Sequence, residues 1–457
     1  MSDRWGTFDA RWAGRETPSW FRDAKFGIFV HWGPYSVPGW APLSGSFANV
    51  ADLGWEHWFA NCSYAEWYAN TMRFSSSPTA RHHAEHWGSR PYSEFGPLFD
   101  RRSQNFDADN WARLFSAAGA GYVVLTTKHH DGYCLWPSAV PNPYEPSWSS
   151  TRDLTGELAK AVRARDMRFG TYYSGGLDWS WLPTIVRSQE DVFSTFPQSD
   201  DYVAYVDAHW RELIARYAPD ILWNDIGTPA GQDIHRLFAD YLDAVPDGVV
   251  NSRFDQRDAS GHVTAAIPFD TRNPEYTSDS AISVDVFETC RGIGHSFGYN
   301  RQEDIATFAT PRQLVHLLID VVSKNGNLLL NVGPAADGSI QDAQQACLRA
   351  IGAWLTLYGS AIYGTRPWNQ VSLADNPAVR FTRKDETLYA IVLDHDGGPV
   401  RLPGLGLGDA CTVRDLASGK TLTVTDSDGT PEVQAVYSHP IASAIAIEPA
   451  SAIRVRR

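Results

Sequence analysis

The sequence predicts an α/β protein: a (β/α)8-like TIM barrel over residues 1–363 followed by a C-terminal antiparallel β-sandwich domain over 364–457. Three observations carry that reading. Short apolar runs of strand character alternate with helical patterns, at least six of them over about 350 residues, which implies a parallel sheet covered on both faces. Each run ends in polar or ionisable side chains, where a barrel presents its chemistry. Beyond Tyr363 the helical period gives way to two-residue alternation.

Taken in order, the strands are Phe26 to Trp32, Tyr122 to His130, Phe169 to Ser174, Ile221 to Asp225, Val249 to Arg253 and Leu328 to Val332. Helical patterns fall between them at Asp109 to Gly119, Thr155 to Arg163, Tyr202 to Tyr217 and Pro311 to Ser323. No GxGxxG or GxxxxGK[ST] follows any strand, which weakens the nucleotide-binding doubly wound alternative. Pro268 to Asp285 reads as a loop. Gly364-Thr-Arg-Pro breaks the chain, and the alternating runs after it, separated by turn residues, make up the sandwich of roughly 90 residues.

Composition narrows the function. The net charge of −14 disfavours nucleic acid and anionic membrane surfaces as partners. Residues 1–14 lack a basic segment followed by an apolar one, and no stretch approaches a membrane span, so a cytoplasmic protein is expected. Cys62, Cys134, Cys290, Cys347 and Cys411 are scattered without a CxxC pair, which suits a reducing compartment and suggests neither disulfides nor a zinc knuckle. The 18 Trp, 19 Tyr and 21 Phe exceed what core filling needs, and such rings pack well on the C–H faces of a sugar.

Two carboxyls stand out. Asp225 closes the apolar run Leu222-Trp-Asn-Asp and precedes Ile226-Gly227, so it is either a charged tip at a barrel mouth or a cap for the next helix. Glu275 lies fifty residues on, between Pro274 and Tyr276, where flanking rings would favour its protonated form. One ionised and one protonated carboxyl is what glycoside hydrolysis uses, with separations of about 5 to 5.5 Å for retention and 6.5 to 9.5 Å for inversion. His129, His130 and Asp131 resemble a metal cluster, but successive strand residues face opposite ways, and both rings at a strand end are better placed to reach sugar hydroxyls. Glu66 between Tyr64 and Trp67, and His31 beside Trp32, each set a polar group next to an aromatic platform.

With those residues in view, the chain resembles the glycoside hydrolase family 29 α-L-fucosidases over nearly its whole length. The likeness is carried by Trp20 to Gly33 (WFRDAKFGIFVHWG), Ala65 to Tyr68 (AEWY), Lys128 to Gly132 (KHHDG), Tyr172 to Trp179 (YYSGGLDW), Leu222 to Asp225, Arg291 to Asn300 (RGIGHSFGYN) and Ser323 to Pro334 (SKNGNLLLNVGP). The resemblance implies a retaining mechanism without metal or organic cofactor. It makes Asp225 the nucleophile and Glu275 the acid/base, with Glu66 as the rival acid, kept here as a hydroxyl ligand. His31, Glu66, Trp67, His129, His130, Tyr173, Trp223 and Arg253 match the positions that line a fucose pocket, and Phe297 matches the contact for the sugar's C6 methyl. The expected partner is an L-fucose-containing oligosaccharide, whose remaining portion is expected to meet loops such as Phe254 to Thr271. A homo-oligomer is compatible with the sequence. The alternative is a catalytically silent fucose-binding protein with the same pocket.

Overall fold

In the computed structural model, residues 10–12, 14–44, 54–265, 267–373 and 377–455 are described. Residues 1–9, part of the segment read for a leader, lie outside them, and no described helix is long and apolar enough to cross a membrane. Seven parallel strands form the central sheet: β1 (Phe26–Val30), β2 (Tyr122–Lys128), β3 (Arg168–Ser174), β4 (Ile221–Asp225), β5 (Val249–Val250), β6 (Phe287–Gly292) and β7 (Gly326–Val332). Their order, β5-β4-β3-β2-β1-β7-β6, follows from βα crossovers that return each strand beside its neighbour.

The eighth stave is irregular. Residues 270–276 run between the two sheet edges and touch both through isolated parallel bridges, Asn251 with Thr271 on one side and Arg272 with Phe287 and Glu275 with Cys290 on the other. Asp270 N donates to Val250 O at 2.8 Å and Glu288 N to Arg272 O at 2.7 Å. This corrects the reading of Pro268 to Asp285 as simple loop. Proline, asparagine and charge hide the strand pattern, and only the two flanking edges supply the pairing. The strand Phe287–Gly292 is likewise absent from the sequence reading, because Glu288 interrupts its apolar run.

One parity of each strand lines the barrel interior, where Phe29, Val124, Tyr172, Trp223, Cys290 and Leu329 pack together. The opposite parity packs beneath helices such as Asp200–Tyr217 and Pro311–Ser323. Those helices start on side-chain caps: Ser199 accepts from Tyr202 N, and Thr310 forms a reciprocal capping box with Gln313, with Pro311 in the first turn.

The last barrel helix ends at Tyr358, and the C-terminal sheets begin at Arg366. A five-stranded antiparallel sheet faces two- and three-stranded sheets across a core that includes Phe381, Leu388, Leu405, Val433 and Ile445. Tyr389, Ile391 and Ala444 from that sheet's other side join the barrel's own core, and Trp354 Nε1 donates to Ala442 O at 2.9 Å.

Candidate active site

Asp225 ends β4 with its carboxylate at the barrel mouth. Its Oδ1 accepts from Arg253 Nη1 at 2.7 Å and from Ile226 N at 3.0 Å, and its Oδ2 accepts from the Tyr172 hydroxyl at 2.8 Å. Burial alone would raise this carboxyl, but the Arg253 guanidinium and the hydrogen bonds from Arg253 and Tyr172 outweigh it and hold Asp225 below the usual carboxylate range. Glu275 meets the same guanidinium, with Arg253 Nη2 at 3.5 Å from Oε2, and accepts from the Tyr64 hydroxyl at 3.1 Å. Here burial, aided by the Asp225 charge, prevails over Arg253 and pushes the carboxyl up. Two carboxyls on one guanidinium thus titrate in opposite directions.

Both are followed by a residue in the left-handed region, Ile226 at φ 56° and Tyr276 at φ 54°. That conformation costs a non-glycine residue about 1–2 kcal/mol, and it turns the chain sharply away so that each carboxyl stays at the mouth. The Tyr276 turn is anchored by its own hydroxyl, which donates to His295 O at 2.8 Å, and by its N–H to Cys290 O at 3.0 Å. Arg253 is set from below: its guanidinium lies 4.8 Å over the Trp223 ring, and Nη2 donates to Asn273 O at 2.9 Å. Glu288, buried in the barrel interior, accepts from Trp223 Nε1, from Asn273 Nδ2 and from the Tyr122 hydroxyl, which locks that platform to the eighth stave.

Three neutral imidazoles complete the floor. Asn331 Nδ2 donates to Phe297 O at 2.6 Å, so its Oδ1 must accept from His31 Nδ1–H at 2.6 Å, leaving His31 Nε2 as an acceptor. Ser174 donates to Leu177 O and accepts from His130 Nδ1, which fixes His130 in the same tautomer. Burial pushes His31 down to about 3 and His130 to about 4, and holds His129 well below the ordinary imidazole range. Glu66, only 2% exposed, accepts from Gly298 N at 2.7 Å and from Ser296 Oγ at 3.4 Å, and burial lifts it to about 8. These groups enclose a cavity of about 250 Å³ whose walls include Phe29, Tyr64, Trp67 and Phe297.

A model of the alpha-L-fucosidase family matches residues 5–360. The chain belongs to the alpha-L-fucosidase family. It is a glycoside hydrolase, 36% identical to the tissue alpha-L-fucosidase of Bos taurus over 85% of this chain and 76% of that one, and 32% identical to the Homo sapiens protein of the same name over 85% and 77%. Among solved structures, an alpha-L-fucosidase superposes with a TM-score of 0.87 at 39% identity, covering 95% of this chain and 97% of that one. The Thermotoga maritima alpha-fucosidase in complex with fucose gives 0.82 at the same identity and coverage.

In this glycoside hydrolase the cavity gathers His31, Glu66, Trp67, His129, His130, Trp223, Asp225, Arg253, Glu275 and Phe297. Tyr173 is not among them. It points outward beneath the helix Asp200–Tyr217, its hydroxyl 3.0 Å from His209 Nδ1, and its neighbour Tyr172 takes the place at the site. The physical reason is strand parity: Tyr172 pairs with Trp223 across the sheet and shares its inward face, which the 173 side chain cannot do. In the His129-His130-Asp131 run the chain leaves the strand at Lys128, so both rings enter the cavity, whereas Asp131 turns aside to accept from the Tyr92 hydroxyl at 2.7 Å. The loop Phe254 to Thr271 does not line the cavity among the described residues. Its hairpin, Gln256–Arg257 against Val263–Ala265, lies outside it. Sequence reasoning missed Trp58, Phe59 and Phe193 as walls, whereas Tyr64, read beside Glu66 as an aromatic platform, is one.

Proposed function

We propose that the chain is a retaining, exo-acting α-L-fucosidase that releases terminal α-L-fucosyl residues from glycans by double displacement. The carrying observation is the shared Arg253 guanidinium, which meets Asp225 through Nη1 and Glu275 through Nη2, so that one carboxyl held below its ordinary range and one pushed above it share a single cavity, the pairing that a nucleophile and an acid/base require. Asp225 attacks C1 while Glu275 protonates the glycosidic oxygen, and the leaving group departs with that proton. The β-linked fucosyl ester on Asp225 is then opened by water that gives its proton to Glu275, and L-fucose leaves with its α configuration.

The floor suits the sugar. The free Nε2 lone pairs of His31 and His130 accept from ring hydroxyls, and the protonated Glu66 carboxyl donates to one. Phe29, Tyr64 and Phe297 make an apolar corner that suits the C6 methyl. A hydroxymethyl group there would lose a hydrogen-bond partner, worth about 1–3 kcal/mol of discrimination. The decisive experiment follows the first-formed anomer by proton NMR during hydrolysis of 4-nitrophenyl α-L-fucoside, with Asp225→Ala as control. α-L-Fucose from the parent and none from the variant is expected; a β-anomer, or binding of fucose without turnover, overturns the reading.

A further inference from the structure

The cavity has two tiers. Its floor, including His31, His130, Tyr172 and Trp223, is buried, whereas its rim is made by two short helices, α1 (Trp55–Ala60) and α2 (Gln189–Ser194), whose Trp55, Val192 and Phe193 are half-buried and whose Gln189 is exposed. The two carboxyls are staggered the same way, the Asp225 side chain 12% exposed and the Glu275 side chain 29%. A group attached to the oxygen that Glu275 protonates therefore points toward the rim. No acidic or basic side chain of either helix faces the cavity among the described residues; the aromatic and aliphatic groups there are joined by one amide, Gln189.

Phe193 is held from outside the cavity. The Arg257 guanidinium sits 4.0 Å over its ring, and Arg257 in turn donates from Nη1 to Gly261 O at 2.9 Å and lies 3.6 Å from Asp255 through Nη2. Gly261, at φ +80°, closes the hairpin so tightly that an added Cβ would stand 3.0 Å from the Phe193 Cβ. Gln198 Nε2 donates to Arg257 O at 3.0 Å and ties the hairpin to the chain just after α2.

We propose that this rim is a leaving-group subsite for a neutral aglycone with a flat apolar face, such as a pyranose C–H face or an aryl ring, and that Arg257 is a positioning residue that sets the Phe193 wall. The inference rests on the fucosidase reading. It returns a role in leaving-group selection to the 254–271 segment, but at one remove, through Phe193. Cation and ring attract electrostatically, so loss of the guanidinium frees the ring to rotate out of line with the aglycone.

The test measures kcat and KM on α-L-fucosyl fluoride, which has no aglycone, on a neutral fucosyl disaccharide and on the same disaccharide sulfated on its non-fucosyl unit. Phe193→Ala and Arg257→Ala should each lower the ratio of kcat/KM for the neutral disaccharide to that for the fluoride by about 3- to 10-fold, chiefly through KM, and Arg257→Lys should recover most of the Arg257→Ala loss. The parent should prefer the neutral disaccharide to the sulfated one. An unchanged ratio in both Ala variants, or equal turnover of the sulfated and neutral substrates, refutes the subsite. Fluoride hydrolysis reports folding in every variant. If the parent hydrolyses none of the three substrates, the fucosidase reading itself has failed.

Discussion

Replacing Glu275 by Gln leaves an acceptor for the Tyr64 hydroxyl and a group of the same shape, but nothing that can donate an acid proton to the leaving oxygen. Positioned proton transfer contributes roughly 10²- to 10⁴-fold, equivalent to about 3–5 kcal/mol of barrier. That whole factor should disappear from kcat/KM for a fucosyl disaccharide, whose alkoxide leaving group needs protonation. An aryl fucoside with a strongly acidic phenol should retain its first step nearly intact, show a burst of phenol, and then stall because no base activates water. Azide should relieve the stall and yield α-L-fucosyl azide. Glu66→Gln, measured in parallel, should show no such dependence on the leaving group, since Glu66 lies on the buried floor with Oε2 already occupied by Gly298 N. Leaving-group dependence in Glu66→Gln and its absence in Glu275→Gln would reverse the assignment.

Two further predictions separate site from scaffold. Tyr172→Phe removes the 2.8 Å hydrogen bond to Asp225, a bond to a charged group worth about 1.5–3 kcal/mol, so kcat/KM should fall about 10- to 100-fold with the melting temperature little changed. Tyr173→Phe should do the reverse, lowering the melting temperature while kcat/KM stays within about twofold, because its hydroxyl pairs with the buried His209 outside the cavity. Glu66, pushed up to about 8, keeps its proton in the folded chain while the unfolded chain ionises near the ordinary 4.5. Between those values the unfolded state binds fewer protons, so wild-type stability falls as pH rises. The melting temperature of Glu66→Gln relative to wild type should therefore increase from pH 5 to pH 8; a constant difference would refute the burial argument.

How far the sequence is legible differs from residue to residue. His31, Asp225 and Arg253 are readable because each follows an apolar strand that can only be a barrel stave, and a polar side chain there is at the mouth. Glu275 carries no such signal. Its stave is a strand only because β5 and β6 present unpaired edges on either side, and its place between Pro274 and Tyr276, rather than a strand pattern, singles it out. The choice between Tyr172 and Tyr173 is invisible to composition, since adjacent tyrosines differ only in which face they take. Glu288 hides a strand by being charged, and its three donors, Tyr122, Trp223 and Asn273, come from segments far apart in the chain.

What the sequence alone determines is the alternation of strand and helix, the change to a β-rich tail after Tyr363, and which residue types stand at strand ends, because hydrophobic period and strand termini are local properties of the chain. What tertiary structure decides is everything that depends on pairing between distant segments: the parity that turns Tyr172 inward, the stave that carries Glu275, and the guanidinium that places one carboxyl below its ordinary range and leaves the other above it. Those follow from sheet register and from burial beside a particular charge, and neither exists until the barrel has closed.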